Sequence, residues 1–156
     1  MEKISKYISY AEAIKSDTAI KNNISNTPNI TELEAMKEVG SKVFDKVREH
    51  FGKPLYISSF FRSSALNKKV GGSISSQHCY GQAIDIDADT FNNGVTNAQI
   101  FNYIKDNLDY DQLIWEFGTS SNPDWVHVSY VSPEKNRRIQ LKAVKSKGRT
   151  SYQRLN

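Results

Sequence analysis

Two short segments constrain this chain most: "AIDIDA" at residues 83–88 and "DWVHVSYV" at 124–131. Successive side chains of a β-strand point to opposite faces. In the first segment Ala83, Asp85 and Asp87 therefore share one face, and Ile84 and Ile86 the other. In the second, Val126, Val128 and Tyr130 oppose Trp125, His127 and Ser129. Each strand offers an apolar face to a core and a polar face that carries a potential metal ligand.

The rest of the pattern supplies what such a sheet packs against. "ITELEAMKEVGSKVFDKVREHFG" (30–52) predicts the main helix, with Leu33, Met36, Val39, Val43, Phe44 and Val47 recurring at helical spacing. Asn29 or Thr31 can cap it and Gly52 closes it. Gly40 inside the pattern costs ~1 kcal/mol relative to alanine and points to close packing. "PLYISSFF" has strand composition, "SSALNKKVGG" predicts a short helix, and "TNAQIFNYIKDNL" predicts an amphipathic helix capped at Thr96. "DQLIWEF" is a further strand, and "RRIQLKAVK" with "RTSYQRL" predicts a terminal hairpin. Helices early and strands late predict an α+β fold, a compact single domain with a mostly antiparallel sheet packed on helices. We assign 1–156 to that one domain, with 1–30 as a polar amino-terminal segment packed on it and 134–156 as a basic terminal hairpin.

A chain of 156 residues can bury a core without staples, and its single cysteine, Cys79, excludes an intramolecular disulfide framework. No apolar run approaches the ~20 residues of a membrane span. The amino terminus "MEKISKYISYAEAIKSD" has no apolar stretch of the kind a secretory signal needs. Synthesis and folding in a cytoplasm are expected, with release by another protein if the chain acts outside. The net charge of +4 is concentrated, since eight basic residues and no acidic ones lie between Lys135 and Arg154. This is either a solvated surface or an attraction to a polyanion such as an anionic cell-wall polymer.

Histidine is scarce, with only His50, His78 and His127. His50 ends the long helix, where a cation suits the helix carboxyl terminus. Gly81 lets the loop before "AIDIDA" turn sharply, which can bring His78 back over Asp85. Two imidazoles and one carboxylate form a common shell for catalytic zinc, with one position left for water. Each residue also has an ordinary reading: a loop histidine, a paired carboxylate, a satisfied sheet histidine. A hydrolase further needs a general base and an oxyanion donor. Asp124, three residues before His127, and Glu116, at the end of the preceding strand, are both candidates for the base. Arg62, closing the "YISSFF" strand, is the candidate cation.

"SQHCYGQAID" matches Ser-x-His-x-x-Gly-x-Ala-x-Asp and "DWVHVS" supplies Asp-x-x-His. Together they resemble the M15 metallopeptidases, the zinc D-Ala-D-Ala carboxypeptidase and phage endolysin group with its hedgehog-like fold. "SFFRSSALNKKVGGSISSQH" and the amino-terminal "SDTAIKNNISNTP" extend the likeness over most of the chain. The resemblance implies Zn²⁺ held by His78, Asp85 and His127, with Asp124 as general base. It also implies that Arg62 binds substrate and stabilises the tetrahedral intermediate, and that Ser76 contacts substrate. The implied substrate is a peptidoglycan peptide, cut by a monomeric phage lysin or virion-associated wall hydrolase. Phe60 and Phe61 depart from the Gly-Tyr that relatives often carry beside this arginine. The alternative from another class is a non-catalytic wall- or protein-binding module that keeps the fold. Nucleic-acid binding is not expected, because the basic tail lacks interleaved aromatics or a recognisable motif.

Overall fold

In the computed structural model, which describes residues 3–156, the apolar faces predicted for the two strands meet the predicted helices. The main helix starts at Asn29, whose side chain accepts from Glu32 N–H while Glu32 reaches back to the Asn29 N–H. It runs as α3 (Ile30–Val39), a π-helical turn (Gly40–Phe44) and α4 (Asp45–Phe51). The sequence gave no sign of this wide turn beyond Gly40. A Cβ on Gly40 would lie 2.8 Å from the Ser5 hydroxyl, so the amino-terminal segment comes too close for any side chain there.

That segment forms a two-stranded ribbon, β1 (Lys3–Ser5) with β2 (Ile8–Ser9), followed by the short helices α1 (Tyr10–Ala13) and α2 (Asp17–Lys21). Two side chains tie it down. Asp45 accepts from the Ser5 hydroxyl and from Lys6 and Tyr7 N–H. Asn26 donates to the Ile14 and Phe61 carbonyls and accepts from Ser63 N–H, which locks the backbone on both sides of Arg62.

The main sheet has six strands in the order β3 (Tyr56–Ser59), β4 (Ala83–Asp87), β6 (Trp125–Ser129), β5 (Gln112–Glu116), β7 (Ile139–Ser146) and β8 (Arg149–Arg154). All neighbours are antiparallel except β5 and β7, which run parallel. Of "PLYISSFF" only Tyr56–Ser59 is strand, because the register shifts after Ile57 and the chain leaves toward Arg62 and α5 (Ser64–Lys69). Helix α6 (Asn97–Asn107) begins with the capping box of Thr96 and Gln99. It packs with α3 on the face that carries Ile84, Ile86, Val126 and Val128. These four are fully buried, and each contributes ~1.5–3 kcal/mol relative to exposure. Slipping either strand by one residue would bury Asp85 or His127 among the helices instead, so the apolar face fixes the register of the polar one.

β7 and β8 pair as an antiparallel hairpin, and two arginines that lead into it are committed to the fold. Arg137 donates through Nε and Nη2 to the buried carboxylate of Asp111, at 2.9 and 2.7 Å. Asp111 also accepts from Gln77 Nε2 at 2.9 Å, linking the hairpin to the loop that carries His78. Burial alone would raise Asp111, but the bonds from Arg137 and Gln77 hold it below the usual carboxylate range. Arg138 lies over the Tyr110 ring at 4.7 Å. No helix among the described residues is long and apolar enough to cross a membrane.

Candidate active site

The polar faces of β4 and β6 meet in register, with Asp85 opposite His127. His78 joins them from a 3₁₀ turn (Gln77–Tyr80) whose first N–H groups are capped by the Ser76 hydroxyl, 3.3 Å from His78 N. Gly81 ends that turn with φ +71°, and a Cβ there would sit 2.5 Å from the Glu32 carbonyl of α3. Both the left-handed backbone and the close approach require glycine. Gly81→Ala is expected to destabilise the fold by ~2 kcal/mol or more and to weaken metal binding by displacing His78. Urea denaturation and a metal titration of the variant check this together.

His78 is 1% exposed. Its Nδ1 lies 2.6 Å from the Phe60 carbonyl oxygen, which can only accept, so Nδ1 carries the proton and Nε2 presents a lone pair. That Nε2 is buried without a hydrogen-bond partner, although Asp85 Oδ1 is 3.2 Å away. His127 Nδ1 lies 3.0 Å from the same oxygen. One ligand atom from each of the three residues falls within 4.8 Å of the others. An orphaned imidazole nitrogen facing a carboxylate oxygen is a poor arrangement without a cation and a fitting one with it. Burial would push Asp85 up, but its interactions with the adjoining His78 and His127 imidazoles outweigh it. The carboxyl is thus held well below the usual range and is an anionic donor at neutral pH.

Asp124 poses a problem of parity, since a residue three positions before His127 belongs on the opposite face of a regular strand. Asp124 lies just before β6, where the pairing is irregular and takes the form of a bulge. Trp125 is the residue paired with Glu116, yet Asp124 N–H also donates to the Glu116 carbonyl at 2.9 Å. Two residues thus oppose one, which breaks the alternation and allows a side chain to be re-aimed. Asp124 lines the same cavity as Trp125 and Ala143. Asn97, fully buried at the start of α6, holds the bulge by donating to the Pro123 and Asp124 carbonyls at 3.2 and 3.0 Å. Sequence reasoning missed Asn97; the available signal was an amide directly after the capping Thr96, facing a helix–strand junction.

Glu116 shares the polar face and is 7% exposed. Burial raises it to about 7; the His127 and Arg62 charges oppose this and the Asp85 charge reinforces it. A folded-state value above the ordinary 4.5 means that this group's stabilising contribution is complete below about pH 4.5 and is lost as pH rises through about 7. In metal-free protein, Glu116→Gln is expected to gain stability over the unaltered chain by about 3 kcal/mol at mildly alkaline pH and little near pH 4.5. Urea midpoints across that range in chelator measure the difference.

Arg62 approaches from the other side. Its N–H donates to the His78 carbonyl at 3.2 Å, and its Nε is buried without a partner. A second cavity, ≈ 290 Å³, is lined by Arg62 together with Lys15, Ser58 and Ser59. Two residues stay outside the group. His50 stacks on Tyr103 with ring centres 3.9 Å apart. Cys79 is partly exposed rather than buried, and desolvation pushes its thiol up and away from the reactive thiolate.

A buried pair of imidazoles with one carboxylate, on the open face of an α+β sheet, is the arrangement of a metallohydrolase centre. A sequence profile described as Peptidase M15 matches residues 6–129, four-fifths of the chain and all three potential ligands. The chain belongs to the Peptidase M15 family, and a peptidase with a site able to hold a metal ion is what fold, site and family together define. Comparison with curated proteins gives no match.

Proposed function

We propose that the chain is a zinc peptidase that hydrolyses a peptide bond of bacterial peptidoglycan, as a D-Ala-D-Ala carboxypeptidase or an L-Ala-D-Glu-type endopeptidase. The observation that carries this reading is the convergence of one ligand atom each from His78, Asp85 and His127 within 4.8 Å. Zinc suits a donor set of two imidazoles and one carboxylate, and when bound there it supplies an acidified water and a Lewis acid. The Phe60 carbonyl holds His78 in the ligating tautomer.

Asp124 takes the proton of the attacking water and returns it to the leaving amine. The Arg62 guanidinium, with an Nε that has no partner, stabilises the oxyanion as the carbonyl becomes tetrahedral. Ser76 is proposed as a substrate contact; its oxygen already accepts from His78 N–H and its own hydroxyl hydrogen is free to donate. A role as a phage lysin, acting on the wall after release, fits this chemistry. Attraction to an anionic wall polymer would rest on Lys135, Lys142 and Arg149, since Arg137 and Arg138 serve the fold.

Defined muropeptides incubated with zinc-loaded protein, with and without chelator, test the proposal by mass spectrometry. The expected result is a pair of fragments from one bond, absent with chelator. Muropeptides left intact at every zinc concentration contradict it.

A further inference from the structure

The family match ends at residue 129, but the sheet continues. Register runs from Trp125 through Glu116 and Ala143 to Tyr152, across β6, β5, β7 and β8. The hairpin therefore extends the same face that carries the metal-binding group. Tyr152 is 56% exposed. Burial, then the Glu116 charge, then the Asp85 charge push its hydroxyl up.

Beside this row lies a cavity of ≈ 540 Å³ lined by Phe117, Asp124, Trp125, Lys142, Ala143 and Lys145, among others. Phe117 and Trp125 meet edge to face with ring centres 5.5 Å apart. The Lys145 ammonium lies 5.5 Å from the Phe117 ring centre. An aromatic ring beside an ammonium at the rim holds it by cation–π attraction and leaves its N–H groups free for an anion. Two lysines line the cavity against one carboxylate, and that carboxylate is Asp124, three residues before the ligand His127.

We propose that this cavity is a substrate subsite built by the hairpin, in which Lys145 binds a carboxylate of the peptide beside the scissile bond. The inference rests on the peptidase reading and adds to it a preference for anionic substrates. A wall stem peptide carries two sources of that group, the α-carboxylate of a γ-linked D-glutamyl residue and the terminal carboxylate.

Three probes separate them: L-Ala-γ-D-Glu-L-Lys-D-Ala-D-Ala, the form amidated at the glutamyl α-carboxylate, and the form amidated at the carboxyl terminus. Each is titrated into the zinc-loaded Asp124→Asn protein, with tryptophan fluorescence reporting through Trp125. One amidation is expected to weaken binding about tenfold. Lys145→Gln in the same background removes that difference, whereas Lys147→Gln, the same loss of charge in the exposed turn, preserves it. Thermal melts of both variants verify folding. Equal binding of all three peptides, no binding of any, or a preference that survives Lys145→Gln overturns the inference. Selective binding by a protein that cleaves no muropeptide leaves the subsite standing and sinks the hydrolase reading instead.

Discussion

Asp124→Asn is expected to lower turnover on wall peptides by about 10²–10⁴-fold, the usual contribution of a positioned general base, and to leave zinc content unchanged. The substitution is well isolated from the fold. The bonds that shape the bulge are main-chain ones, from Asp124 N–H to Glu116 and from Asn97 to the Asp124 carbonyl, and asparagine keeps both. It also keeps the volume and loses only the basicity. The measurement is kcat/KM on a defined muropeptide, together with zinc per chain. Turnover near that of the unaltered protein would transfer the base to Glu116, the other carboxylate on this face and one whose ordinary acidity is already suppressed. Asn97→Ala offers a companion measurement, because a loosened bulge should lower turnover through Asp124 without touching a ligand.

Loss of a ligand has the second large effect. With zinc at 100 times its dissociation constant, binding should stabilise the native protein by about 2.7 kcal/mol. In Asp85→Asn this gain should nearly vanish along with activity. Asp85 lies between the two imidazoles, 3.2 Å from His78 and 3.0 Å from His127, and an amide cannot supply the anionic oxygen that a cation there needs. His78→Ala should lose zinc as well and carry an additional ~1–3 kcal/mol penalty, because the Phe60 carbonyl is left buried and unpaired. Melting curves with and without zinc separate the two contributions. A zinc-induced gain in Asp85→Asn equal to that of the unaltered chain would remove Asp85 from the metal site.

Most of the site was legible because it rests on strand parity. Asp85 and His127 could be assigned to one face from alternation alone, and the sheet pairs them directly. Gly81 was legible for a similar reason, since few residues tolerate that backbone. What alternation could not show was how the chain enters this strand at Asp124, because a bulge is invisible to a period-two reading. The order of strands was also beyond reach: nothing in "RRIQLKAVK" states that it pairs parallel to β5. The basic tail misled for an energetic reason. Charge counts cannot distinguish a solvated arginine from Arg137, which compensates the buried Asp111.

The parallel pairing of β7 has a practical consequence for anyone shortening this chain to its family-matched portion. Without residues beyond 130, the Leu113–Trp115 stretch would present bare amide and carbonyl groups along a rim rich in apolar side chains. Such a rim is a template for other molecules to add to. A shortened protein would be prone to self-association in solution even with every ligand and its base intact.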